Sequence, residues 1–230
     1  MINMVLFLTK FLSFIMLMFS DISNSDDRST SQSHVNIVIL GSSTAEGAGA
    51  TKLENSWVFK LEHELKILNN SSRVVNFGKS GYSTFHILPN EQFFSGRPNP
   101  DKERNITKAL SLNPTMVIIN MPSNDAAYGF SNVEQLRNYR TLIELLKNRN
   151  IDYLICSPQP RNFKEIATRQ RQFTLVELMR KEFDRHFVDV WSGLTNEEFG
   201  LKNSYNSGDG IHLNDDGHNY IFQQVFARIK

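Results

Sequence analysis

The apolar residues of this chain fall into five short runs, and amphipathic stretches separate them. "VNIVIL" (35–40), "RVVNFG" (73–78), "TMVIINMP" (115–122), "IDYLICSP" (151–158) and "HFVDVW" (186–191) read as strands, three of them apolar almost throughout. Such runs suit strands covered on both faces. Between them the period changes to that of a helix. Residues 56–69 place Trp57, Leu61, Leu65 and Leu68 on one face, with Ser56 as N-cap. "ERNITKALSL" (103–112) predicts a short helix. Ser131 and Glu134 form a capping box ahead of Val133, Leu136, Tyr139, Ile143 and Leu146. Residues 164–183 predict a polar-faced helix, and the last segment a helix burying Ile221, Val225 and Ile229. Strands alternating with helices predict an α/β fold, a parallel sheet with helices on both faces. Ligands of such sheets bind at the carboxyl ends of the strands, so the loops after residues 40, 78, 121 and 191 are the ones to inspect.

The N-terminus breaks this pattern. Residues 4–19 are apolar apart from Lys10 and a few small polar side chains, and a polar tract follows. The sequence predicts a signal peptide or N-terminal membrane anchor over residues 1–20, a polar linker over 21–34, and one domain over 35–230. The expected location is outside the cytoplasm, secreted or periplasmic, with residues 4–19 as a membrane tether if they are retained.

Composition narrows the partners. Among 230 residues, 25 Lys and Arg balance 24 Asp and Glu, and no basic stripe collects on one segment. Nucleic acid is therefore not an expected partner. Cys156 is the only cysteine, which excludes an intrachain disulfide and a CxxC motif. Its apolar surroundings predict a buried, inert thiol. His34, His63, His86 and His218 show no metal-ligand spacing, so neither metal nor organic cofactor is expected.

The first strand runs into "GSSTAEGAGATK", a loop of a kind that can hold phosphate or present a serine. From Gly41 a P-loop needs glycine where this chain has Glu46 and lysine where it has Gly47, and no register of GxGxxG completes from Gly47 or Gly49. The serine alternative finds support elsewhere. In "GDGIHLNDDGH", Asp209 and His212 lie three apart, a spacing at which the carboxylate reaches Nδ1 while Nε2 faces outward. Gly81 in "NFGKSGYST" and Asn124 in "INMPSND" sit after the second and third strands, where a backbone N–H and a side-chain amide could receive an oxyanion. Glu46 reads as a solvated loop charge, and the aromatic-rich 84–100 segment either lines a groove or packs over the sheet edge. An α/β-hydrolase elbow does not fit, because GxSxG is one residue short and Asp and His share a loop.

"GSSTAEG", "GKSGYS", "PSND" and "DGIH" come in the order of the SGNH (GDSL-like) hydrolase superfamily, which the chain resembles from Val35 to Lys230. The resemblance implies a three-layer α/β/α flavodoxin-like SGNH fold with a five-stranded parallel sheet. It implies Ser43 as nucleophile, with Asp209 and His212 completing a triad. It also implies an oxyanion hole from the amides of Ser43 and Gly81 and the side chain of Asn124. Two positions depart from the family pattern: Ser42 stands for the usual aspartate, and Pro122 for the usual glycine.

The function expected is a serine esterase, acting on a small-molecule or carbohydrate ester with a short acyl group such as acetyl. A lysophospholipase or thioesterase acting on longer chains uses the same machinery. A third reading is a carbohydrate-binding surface protein that keeps an inactive hydrolase fold.

Overall fold

The computed structural model describes residues 35–229. The predicted leader, the linker, His34 and Lys230 lie outside the described residues. Five strands, β1 (Asn36–Gly41), β2 (Arg73–Asn76), β3 (Met116–Asn120), β4 (Asp152–Cys156) and β5 (Phe187–Val188), form one sheet in the order β2-β1-β3-β4-β5. Every neighbouring pair is parallel. In chain order the helices are α1 (Ser43–Glu46), α2 (Trp57–Leu68), α3 (Ile106–Leu110), α4 (Asn124–Ala127), α5 (Asn132–Lys147), α6 (Ile166–Phe183), α7 (Trp191–Leu194) and α8 (Asp215–Ile229).

The continuous apolar runs have a direct structural cause. Along β1 the pleat sends Ile37 and Ile39 to one face and Val38 and Leu40 to the other, and all four are fully buried. One face packs on Trp57, Leu61 and Leu65 of α2 and on Ile221 and Val225 of α8. The other packs on α3, on Leu136, Tyr139, Ile143 and Leu146 of α5, and on Leu175, Val176 and Met179 of α6. The result is the three-layer α/β fold that the resemblance implies. Strand order reverses between β1 and β3, and the crevice beyond their carboxyl ends is where ligands of such sheets bind.

Local signals place the helices. The Ser56 side chain caps α2 by accepting from Phe59 N, and the Ser131–Glu134 capping box starts α5. Both apolar stripes are shorter than the sequence suggests: Val133 is 75% and Leu68 41% exposed. These two lie in the first and last turns, where the stripe runs past its packed section. The fifth strand is also shorter, two residues instead of six. Ser157 Oγ accepts from the amides of Val190 (3.1 Å) and Trp191 (3.0 Å), which takes the chain out of the ladder and starts α7. Phe85, Ile87 and Leu88 of the aromatic-rich segment are buried in the core, while Phe93 is exposed. Cys156 is buried, as expected, and burial pushes its thiol up to about 12. Among the described residues no helix is long and apolar enough to cross a membrane.

Candidate active site

The end of β1 carries two adjacent serines in different settings. Ser42 N donates to Asn120 O at the end of β3 (3.3 Å), which ties the two strand ends together. The Ser42 side chain is wholly buried, and its Oγ accepts from Asn124 Nδ2 at 2.7 Å. Ser43 opens α1, and its Oγ has no hydrogen-bond partner among the described residues. Its N–H belongs to the first turn, whose amides have no acceptor within a helix. Ser42, standing where the family has an aspartate, is therefore an anchor for Asn124, and Ser43 is the hydroxyl left available.

A second loop, after β2, presents Gly81. Its φ of +83° is comfortable only for glycine, and its amide has no acceptor among the described residues. Three contacts hold this loop against its neighbours. Glu46 of α1 accepts from Ser80 N at 2.7 Å and from the Ser80 hydroxyl. Asn124 Nδ2 donates to Tyr82 O (2.9 Å), and the Tyr128 hydroxyl donates to Gly81 O (2.8 Å). Glu46 is exposed, the solvated loop charge expected from sequence, and it is also a strut between the two loops.

Next to Asn124, Asp125 is buried and accepts from Thr84 N (3.0 Å) and Thr84 Oγ1 (2.6 Å). Burial pushes Asp125 up, and the Thr84 hydroxyl and amide oppose this without cancelling it, leaving the carboxyl at about 6. Both Nδ2 protons of Asn124 are engaged in the resting arrangement. Donating to an oxyanion requires one of them to leave Ser42 Oγ or Tyr82 O. The Pro122 departure leaves Asn124 at the head of α4, within reach of both of these partners.

The third loop carries Asp209 and His212. His212 Nδ1 lies 2.6 Å from Asp209 Oδ2, and Asp209 Oδ1 accepts from the amides of Ile211 and His212 at 2.8 Å each. Burial alone would raise the Asp209 carboxyl; the His212 amide and ring and the Ile211 amide outweigh it and hold it at about 2. An ionised carboxylate only accepts, so Nδ1 carries a proton, and in the neutral imidazole Nε2 is the nitrogen with the lone pair. That nitrogen has no partner among the described residues.

The Ser43 and His212 segments are bolted together by contacts that sequence reasoning missed. A Cβ on Gly49 (φ +92°) would meet Leu213 O at 2.2 Å and His212 Cβ at 2.9 Å, so only glycine lets the two backbones pack. Thr44 Oγ1 donates to Gln159 Oε1 (2.7 Å), and Gln159 Nε2 donates to Ile211 O (2.8 Å), a buried chain from α1 to the residue before His212. Asp215 accepts from Thr51 N, Thr51 Oγ1 and Asn55 Nδ2. Buried His218 bridges Trp57 N and Ala48 O, and burial lowers its pKa. Gln159 follows β4, a strand end that the loop selection above had passed over. Among the described residues, no group of three or more His, Cys, Asp or Glu side chains could hold a metal ion.

The GDSL-like lipase/acylhydrolase family matches residues 39–220, most of the chain and all the loops just described. The chain belongs to that family. It is therefore a hydrolase of ester bonds. No curated protein sequence matches it. Solved structures share its fold at low identity. An acetyl xylan esterase, AlAXEase, is 16% identical over 84% of this chain and 98% of that one, with a TM-score of 0.60. The esterase EstA from Pseudoalteromonas sp. is 19% identical over 84% and 96%, with a TM-score of 0.59. A GDSL-like lipase from Bacteroides thetaiotaomicron is 18% identical over 84% and 87%, also at 0.59.

Proposed function

We propose that this hydrolase is a serine esterase that works through an acyl-enzyme. His212 Nε2 takes the proton of Ser43 Oγ as that oxygen attacks the ester carbonyl. The carbonyl oxygen becomes an oxyanion facing the amides of Ser43 and Gly81 and the Asn124 side chain. His212 then passes its proton to the leaving alcohol, water attacks the acyl-enzyme with His212 again as base, and the acid departs. Asp209 stays ionised throughout and steadies the imidazolium. The observation that carries this reading is the 2.6 Å Nδ1–Asp209 bond, which leaves Nε2 without a partner among the described residues, on a loop packed against the Ser43 segment. The substrate is a short-acyl ester, an acetylated carbohydrate by preference. The acetyl xylan esterase among the solved structures of this fold supports that preference. We place the enzyme outside the cytoplasm on the apolar character of residues 4–19.

Hydrolysis of p-nitrophenyl acetate by the full chain tests the chemistry. Ser43→Ala and His212→Ala are expected to lower kcat by roughly 10⁴-fold or more. Wild-type activity retained in Ser43→Ala would overturn the assignment. Acyl-length profiles and release of acetate from acetylated xylan test the substrate; a preference beyond octanoyl esters would replace the acetylesterase reading with the long-chain one.

A further inference from the structure

Arg161 stands out among the arginines of this fold. Arg97, Arg104, Arg137, Arg161 and Arg169 are all partly buried. Four of them spend their donors on the protein: Arg97 on Glu134, Arg104 on Gly78 O, Arg137 on Asn138 and Arg169 on Glu198. The Arg161 guanidinium makes no hydrogen bond and no ion pair among the described residues. It rests on the face of the Phe163 ring, 4.9 Å from the centroid. Withdrawing a cation from water without pairing it costs free energy, so a partly buried, unpaired guanidinium needs a reason.

Its position supplies one. The segment after β4 runs alongside the loop of Asp209 and His212. Gln159 donates to Ile211 O, and Asn162 N donates to Gly210 O at 2.8 Å, so Arg161 lies between two residues stitched to that loop. Burial lowers the Arg161 pKa, and the charged or ionisable groups that oppose this are Asp209 and Tyr128. Tyr128 is the residue bonded to Gly81 O, on the oxyanion side of the cleft. Asp209 does not consume the cation, because its two oxygens are already held by the His212 ring and by the Ile211 and His212 amides. What remains is a planar donor fork over an aromatic ring, on a segment hydrogen-bonded to the loop whose histidine protonates the leaving alcohol in the proposed mechanism.

We propose that Arg161 receives an anionic group, a carboxylate, phosphate or sulfate, on the alcohol half of the ester substrate. The proposal rests on the serine-esterase reading and adds the charge of the natural alcohol to it. It makes Arg161 a specificity determinant that acts through binding.

The test compares kcat/KM of the full-length enzyme on phenyl acetate, 3-carboxyphenyl acetate and 3-acetoxyphenyl phosphate, which carry the acetyl group on similar phenols. The wild type is expected to favour at least one anionic ester roughly ten- to a hundred-fold, mainly through KM, the range of a charge-assisted hydrogen bond. The two anionic arms separate a carboxylate substrate from a phosphate one. Arg161→Gln should bring the anionic-to-neutral ratio near one, and Arg161→Lys should keep part of the preference. Thermal melting confirms that both variants fold. Equal ratios in wild type and Arg161→Gln overturn the proposal and leave the esterase reading standing. So does an equal fall on all three esters with a shifted pH profile, which would make Arg161 a positioning residue for the Asp209–His212 pair. A wild type inactive on all three and unlabelled by a fluorophosphonate overturns both readings together.

Discussion

Two neighbouring serines and one asparagine decide how this site works. Ser42 Oγ and Tyr82 O hold both protons of the Asn124 amide, and Ser43 Oγ has no partner among the described residues. Asn124→Ala removes the proposed oxyanion donor and is expected to lower kcat by roughly 10²–10³-fold with little change in KM. Ser42→Ala removes the acceptor of one Asn124 proton, which Asn124 can redirect, and is expected to keep activity within about tenfold of wild type. Steady-state kinetics of the two variants on p-nitrophenyl acetate give the comparison, and the reverse ranking would mean the roles are exchanged. Asp209, held at about 2, remains ionised at every pH where such enzymes are assayed, so the acid limb of kcat/KM must come from another group.

At the scale of elements, the catalytic geometry depends on contacts between loops distant in sequence. The chain Thr44–Gln159–Ile211 O spans separations of 115 and 52 residues and joins the start of α1 to the histidine loop. If it acts as one unit, Gln159→Leu and Thr44→Val each lower kcat roughly tenfold, and the double variant is no worse than the worse single one. Full additivity in that cycle would show two independent packing effects. This chain also marks where the sequence stopped being informative. The apolar period, the Ser131–Glu134 capping box and the Asp209–His212 spacing are local, so they were legible. The end of β5 was not, because the Ser157 hydroxyl that diverts the Val190 and Trp191 amides lies 33 and 34 residues away. The bracing role of Glu46 was not legible for the same reason: its partner, Ser80, belongs to another loop.

Across the whole molecule, the site stores charge that the fold must support. Asp125 titrates at about 6 in the folded protein against an ordinary value near 3.8, because it is buried. A raised carboxyl stabilises the fold below the unfolded value and loses that contribution as pH rises to the folded one. From well below 3.8 to well above 6 this group therefore subtracts about 3 kcal/mol, most of it between pH 4 and 6. Glu134, held at about 2 chiefly by the Arg97 hydrogen bond, works the other way: its contribution is present above about 4.5 and is lost as pH falls towards 2. Asp125→Asn should flatten the stability profile between pH 4 and 6 whatever its absolute stability, as read by urea denaturation at each pH. An unchanged slope would mean that Asp125 is not the group responsible.

The central claim is that Ser43 is the nucleophile of a working esterase. Its most direct test is a fluorophosphonate reaction with the full chain, followed by mass mapping of the adduct. One adduct per molecule is expected, on Ser43, lost in Ser43→Ala and in His212→Ala but formed in Ser42→Ala. An adduct on Ser42, or a folded protein that forms none, would contradict it.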